Sequence, residues 1–257
     1  MKSKYVIGAI VAIIIVVAAI GIYWYSTLKP AENVLIVGTS ADFPPYEYID
    51  EEGNFAGFDV DLINLIAGRL GLRVEWRDMS FDILIGALKG GKIDAIIAAM
   101  SITSERQQEV DFSVPYYTSE FALLVRSDSL ISITEPKDMI EYSIGTQTGS
   151  SQYEYLTQWI DTGELSEDKV FLYERFDQAV LDLVGGRIDI VFTERPMAVK
   201  MTEVQPVKVA YTWEAPSGEV GIAVPKGDPL LNDINKVIND LDEQGILDAL
   251  VMAWLGG

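Results

Sequence analysis

Two hydrophobic rhythms alternate along this chain. Compact apolar runs, many of them β-branched, occupy residues 34–37, 72–76, 92–97, 121–125, 142–145, 170–173, 188–192 and 220–224. Runs of this kind, bounded by Gly, Pro, Asn or Asp, predict buried strands. Between them the apolar positions recur every third or fourth residue: Leu62, Ile63, Ile66, Ala67 and Leu70 make one helical face, with Asp59 expected as its cap and Gly71 as its stop. Ser80 is expected to cap a helix over 81–89 that stops at Gly90-Gly91, and further helices are predicted up to Trp159 and over 177–184, 230–241 and 245–254. Strand and helix alternating at these lengths predict βαβ units and a mainly parallel sheet.

One stretch returns. Leu88-Lys89-Gly90-Gly91-Lys92-Ile93-Asp94 is echoed 95 residues later by Leu183-Val184-Gly185-Gly186-Arg187-Ile188-Asp189, so two lobes built on one helix-turn-strand plan are expected. A length of 257 residues is ample for two such lobes, each with a core. The terminal stretch is different. Residues 5–24 carry no charge, follow Lys2 and Lys4, and are long enough to span a bilayer as a helix. Aromatic residues at the exit, in place of a small-residue cleavage site, predict an uncleaved anchor over a cleaved signal, with the rest of the chain outside.

Composition removes several kinds of chemistry. Lys plus Arg number 19 against 39 Asp plus Glu, a net charge of −20, which argues against a nucleic-acid partner. Cys and His are both absent, which excludes thiolate chemistry, His-dependent triads, Cys/His zinc sites, disulfides and a lipid-modified cysteine. An enzyme made from this chain would need carboxylates, Lys, Tyr or a metal for its acid-base work.

Ligands of open α/β sheets lie at the carboxyl ends of the parallel strands. That rule selects the loops 40–45, 98–106, 146–151 and 193–195, facing one another across a cleft. Thr103 or Ser104 can cap a helix, with Ser104 and Gln107 at capping-box spacing, so Arg106 falls in its first turn. A cation there opposes the helix dipole, which makes sense where guanidinium and free N–H groups converge on an anion. An exposed arginine on a short helix fits the spacing as well. The repeat lays Glu194 on Ala99, two residues before Ser101. A carboxylate opposite Arg106 would match a zwitterion, although a solvated surface acid explains Glu194 equally.

Residues 101–113, Ser-Ile-Thr-Ser-Glu-Arg-Gln-Gln-Glu-Val-Asp-Phe-Ser, followed by Tyr116-Tyr117, resemble the carboxylate-gripping segment of the polar amino-acid-binding proteins of ABC importers, solute-binding protein family 3. The likeness covers nearly all of the chain after residue 33. It implies a two-lobed periplasmic-binding-protein fold of the type II kind, each lobe a mainly parallel sheet flanked by helices, preceded here by one transmembrane helix. It implies further that the chain crosses between lobes twice, giving an anchor and linker over 1–32, lobe 1 as 33–122 with 221–257, and lobe 2 as 123–220. Carried over, Arg106 grips the ligand carboxylate with help from Ser101, and Glu194 takes the α-ammonium where relatives most often have Asp. Gly149-Ser150-Ser151 resembles the segment whose backbone N–H groups meet the carboxylate, although a plain turn and cap would look the same. Phe43 and Phe81 correspond to aromatic residues that cover the ligand's stem, and core positions are the alternative for both. Ser40 departs from the Asp or Glu of many relatives, which points to an uncharged polar side chain such as glutamine, with Gln147 and Thr193 beside it. Asp42 or Gln147 would have to compensate if a cationic ligand bound. The expected function is extracytoplasmic capture of an amino acid for an ABC permease, as a monomer without cofactor, metal or catalytic residues. The alternatives are an enzyme resembling cyclohexadienyl dehydratases, with Glu194 as general acid, and a sensor ectodomain.

Overall fold

The computed structural model describes residues 33–256. The apolar run at 5–24, expected to anchor the chain, lies outside them. Among the described residues no helix is long and apolar enough to cross a membrane.

The first lobe is built from β1 (Val34–Thr39), the short strands β2 (Asp42–Phe43), β3 (Glu47–Ile49) and β4 (Phe55–Ala56), α1 (Phe58–Leu70), β5 (Arg73–Asp78), a 3₁₀ turn at Phe81–Ile83, α2 (Leu84–Lys89), β6 (Ala95–Ile96), the single helical turn α3 (Arg106–Glu109) and β7 (Asp111–Phe112). The second contributes β8 (Tyr117–Arg126), β9 (Ile144–Gln147), α4 (Ser151–Asp161), β10 (Val170–Tyr173), α5 (Phe176–Val184), β11 (Ile190–Glu194), α6 (Arg195–Val204) and β12 (Val207–Val220). Strand β13 (Ala223–Val224) and helices α7 (Leu230–Glu243) and α8 (Ile246–Trp254) then rejoin the first sheet and its core. The strand orders are β5-β1-β6-β13-β7 and β10-β9-β11-β8-β12, with β2-β3-β4 as a small third sheet.

Both large sheets are mixed. Strand β1 runs parallel to β6, and β9 lies parallel between β10 and β11; β13 is antiparallel to β6 and β7, and β8 is antiparallel to β11 and β12. The antiparallel partners come from the two passages of chain between lobes. Strands β8 and β12 pair from Tyr117↔Val220 to Arg126↔Val207. Helix α6 and most of β12 fall in a stretch that periodicity leaves unassigned. Helix α6 starts on Arg195-Pro196, where proline is tolerated because a first-turn N–H needs no intrahelical partner, and β12 is an edge strand with irregular burial and an internal Pro216.

The internal repeat has a physical basis. Asp94 accepts the backbone N–H of Ile36 at 2.8 Å, and its counterpart Asp189 accepts that of Ser143 at 3.1 Å, so each acid ties its loop to the neighbouring parallel strand. A Cβ at Gly38 would lie 2.3 Å from Ile93 Cδ1, and one at Gly145 would lie 2.4 Å from Ile188 Cδ1. In each lobe an isoleucine of the repeat packs directly on a strand backbone that only glycine leaves open.

Helix α1 departs from its expected start. Gly57 occupies the N-cap, and Asp59 sits inside the first turn with its side chain sent across the lobe. The apolar face of α1 is as periodicity predicts: Leu62, Ile63 and Ile66 are fully buried in a core shared with β1, α7 and α8. Replacing Leu62 with Ala is therefore expected to lower unfolding free energy by about 2–5 kcal/mol. Denaturant titration without ligand measures it, and a loss below about 1 kcal/mol would contradict the packing described.

Candidate ligand-binding site

The carboxyl ends of the parallel strands in both sheets converge on one cavity. It is lined by Phe43, Phe81, Ala99, Ser101 and Arg106 from the first lobe and Gln147, Ser150, Ser151 and Glu194 from the second. Thr193, named from the sequence beside Gln147, lines the same space. Gly149 and Ser40 are not among the lining residues; Ser40 is buried, and its hydroxyl donates to Asp42 Oδ1 at 3.0 Å.

Arg106 is set by its surroundings. The one-turn helix α3 begins where Thr103 Oγ1 accepts the Arg106 N–H at 3.3 Å, so Thr103 rather than Ser104 is the hydroxyl that meets it. The side chain is 7% exposed. Nη1 donates to the Ser101 carbonyl at 2.8 Å and Nη2 to the Gly149 carbonyl of the opposite lobe at 3.0 Å, with the Phe81 ring centroid 5.2 Å from the guanidinium carbon. Burial lowers its pKa to about 10, while Glu154, Glu194 and Glu105 act in the other direction, so it stays charged at neutral pH. Phe81 accordingly has a second task, as a face for the cation.

The facing lobe brings its polar groups in by similarly local means. Ser150 caps α4, accepting the Tyr153 N–H at 3.2 Å, and lies 3.3 Å from Thr146 Oγ1. Ser151 Oγ is 3.0 Å from Ser101 Oγ across the cleft. Gly149, at φ 74°, comes so close to the first lobe that a Cβ there would be 3.1 Å from that of Asp82. Gln147 donates its amide to the Glu174 carbonyl at 3.3 Å. Ala99 has a left-handed backbone, φ 44°, and its N–H donates to Asp59 Oδ2 at 2.7 Å. A non-glycine residue in that region costs about 1–3 kcal/mol, and Asp59, also bonded to the Tyr116 hydroxyl, holds it there.

Glu194, last residue of β11, is 5% exposed. Burial pushes its pKa up to about 7, partly offset by the Ser119 and Tyr46 hydroxyls, and Asp59 raises it further. Sequence reasoning passed over Glu47, which also lines the cavity and is 1% exposed; burial and the charges of Asp59 and Asp42 hold its carboxyl well above the usual range. Among the described residues no partner meets Glu194 Oε2, Thr193 Oγ1 or Glu47 Oε2. Thr146, at the start of the selected loop 146–151, also lines the cavity, and Phe176, Phe192 and Gln152 are further lining residues without a signal in the sequence pattern. Glu47 carries a signal only in retrospect, as an acid between two tyrosines beside the Pro44-Pro45 loop.

A cavity with one buried cation and two buried carboxyls, walled by aromatic rings and hydroxyls, suits a small zwitterion. The family described as bacterial extracellular solute-binding proteins, family 3, matches residues 35–257. This chain belongs to that family. The arginine-binding extracellular protein ArtP of Bacillus subtilis is 33% identical over 89% of this chain and 89% of its own length. An ancestral arginine-binding protein solved with arginine superposes with a TM-score of 0.80 at 37% identity, over 86% of this chain and 98% of that one. A second structure, an ancestral arginine-binding protein bound to glutamine, has the same TM-score of 0.80 at 35% identity, covering 89% and 100%. The chain is thus an amino-acid-binding member of an extracytoplasmic family.

The titration of Glu194 gives this site a direction with pH. Its folded pKa, about 7, lies above the ordinary carboxyl value of 4.5. In the ligand-free protein its contribution to stability is then full below that ordinary value and lost as pH rises through about 7. A ligand ammonium placed against Glu194 would favour the ionised form and remove the loss. The melting-temperature gain on adding an amino acid is therefore expected to grow between pH 5.5 and 8 in thermal-shift measurements; a gain independent of pH would take Glu194 out of the ammonium site.

Proposed function

We propose that the protein captures an amino acid between its two lobes on the outer side of the membrane and hands it to an ABC permease. The observation that carries the reading is the burial of Arg106 from one lobe and Glu194 from the other in a single cavity. In this reading Arg106 and the hydroxyls of Ser101 and Ser151 receive the α-carboxylate, Glu194 the α-ammonium, and Phe43 and Phe81 the apolar stem. In this reading the chain crosses between lobes within β8 and again after β12, with 33–122 and 221–257 taken as one lobe and 123–220 as the other. Hinge closure around the ligand is the motion such a two-lobed site uses. The role is binding rather than catalysis. Arg195, next to Glu194 in the chain, is 43% exposed and turned to Glu120 at 3.5 Å; among the described residues Arg106 is then the one cation lining the cavity, which gives a dicarboxylate substrate little to hold it.

For the ligand's side chain, Glu47 supports a cationic group. With Arg106 and Glu194 engaged by the zwitterion, Glu47 is the remaining acid in the wall, and a guanidinium would ionise it as well as pair with it. The names of ArtP and of the arginine-bound neighbour agree with that choice. Glutamine is the second reading, supported by Gln147 in the cavity wall and by the glutamine-bound neighbour. The apolar residues 5–24 support a membrane tether for the whole chain; retention of the full-length protein in washed membranes checks it, and a mature amino terminus near residue 27 contradicts it.

Calorimetric competition between arginine and glutamine tests the rest. Arginine is expected to bind at least about tenfold more tightly, with Glu47→Gln reducing the advantage to near parity. Arg106→Ala is expected to weaken either ligand by about thirtyfold to several thousandfold, the effect of truncating one partner of a desolvated charge pair. Lys at 106 restores only part, because an ammonium lacks the planar two-pronged donor. Dissociation constants of Arg106→Ala within about threefold of wild type would exclude the carboxylate role.

A further inference from the structure

Helix α5 of the second lobe begins without a cap of its own. Its N-cap position is held by Arg175, whose side chain makes no capping hydrogen bond and pairs instead with Asp177 at 3.1 Å. An arginine side chain can donate but cannot accept, so although the Arg175 carbonyl takes the Gln178 N–H, nothing at the cap position meets the Phe176 N–H. The acceptor comes from the other lobe. Asp42 Oδ2, in β2, accepts the N–H of Phe176, the first residue of α5, at 2.5 Å. Its Oδ1 accepts the Ser40 hydroxyl, and Asp42 is 4% exposed. Next to it, Phe43 meets the Phe176 ring edge-on, centroids 5.1 Å apart, and both rings line the ligand cavity.

We propose that Asp42 is a closure-positioning residue: it completes the N-terminus of α5 across the cleft, a hydrogen bond available only when the lobes meet, and so sets the balance between open and closed protein and the residence time of the ligand. Ser40 orients that carboxyl instead of touching the ligand, which accounts for its burial away from the cavity. When the lobes part, α5 loses its cap and Phe176 its ring partner together, so closure is cooperative at this edge of the cleft. The part that matters is the acceptor oxygen. Burial pushes Asp42 up to about 6, against the Phe176 N–H, the Arg175 charge and the Ser40 hydroxyl, while Asp177 raises it further; the charge itself is thus a cost of closing, and a neutral acceptor of the same shape suffices. Asparagine and alanine at position 42 must then behave differently.

The ligand-bound arm of the test rests on the amino-acid-binding reading above, and the ligand-free arm does not. The chain has no cysteine, so spin labels can be placed on cysteines introduced at exposed Lys92 in the first lobe and Asp161 in the second. Without ligand, Asp42→Ala is expected to shift the interlobe distance distribution toward the open form, and Asp42→Asn to keep the wild-type distribution or move it toward closure. With arginine as probe, Asp42→Ala should raise the dissociation rate by about threefold to twentyfold, the range that loss of a helix cap implies, and Asp42→Asn should restore it. Wild-type distances and off-rate in Asp42→Ala overturn the proposal, as does an Asp42→Asn variant as open as Asp42→Ala. If arginine fails to bind the wild type, the ligand assignment falls while the ligand-free distances still decide the latch.

Discussion

A guanidinium is expensive to take out of water, and Arg106 is nonetheless buried between two lobes. Burying an ion costs several kcal/mol unless hydrogen bonds and an opposite charge meet it. Here two backbone carbonyls, one from each lobe, and the Phe81 ring hold the cation, and Glu194 stands in the same cavity. Much of the rest can be read as the means of getting those groups together. The parallel strands end at the cleft, Gly149 comes within contact of Asp82 because it has no side chain, and Asp59 holds Ala99 in a left-handed turn at the cavity wall.

The two lobes reach this arrangement through the same local devices with different chemical ends. Asp94 and Asp189 anchor equivalent loops to equivalent strands, and Ile93 and Ile188 press on Gly38 and Gly145 in the same way. At the ligand face the equivalence stops. One lobe ends in Ala99, Ser101 and Arg106, the other in Thr193 and Glu194, so a repeated scaffold presents a cation on one side and an acid on the other. That asymmetry gives a zwitterion one preferred orientation.

Acid is in excess around the cavity. Glu47, Asp59 and Glu194 are all nearly without solvent, and each is pushed up by burial. Groups so placed favour a proton or a cation, which is the physical ground of the cationic ligand side chain proposed above. Asp42 is also pushed up by burial, but its geometry ties it to the opposite lobe rather than to the ligand.

The alternation of apolar runs with helical faces specified βαβ units, and the echo of residues 88–94 at 183–189 specified two lobes, because strand and helix periods are local properties and the Ile-Asp pair does the same packing work wherever it occurs. The meeting of Arg106 and Glu194 at one cleft was legible from helix-start chemistry, from the end of a strand and from the resemblance of the surrounding segment. Other features depend on contacts between residues far apart in the chain. Asp59 reads as a cap and in the fold holds Ala99, 40 residues on. Ser40 reads as a ligand residue and in the fold orients Asp42, whose partner Phe176 is 134 residues away. Glu47 carries no periodic signal, and only the closing of one lobe on the other turns it into part of the cavity wall. Side-chain roles of this kind are set by what arrives opposite them, which local sequence does not contain.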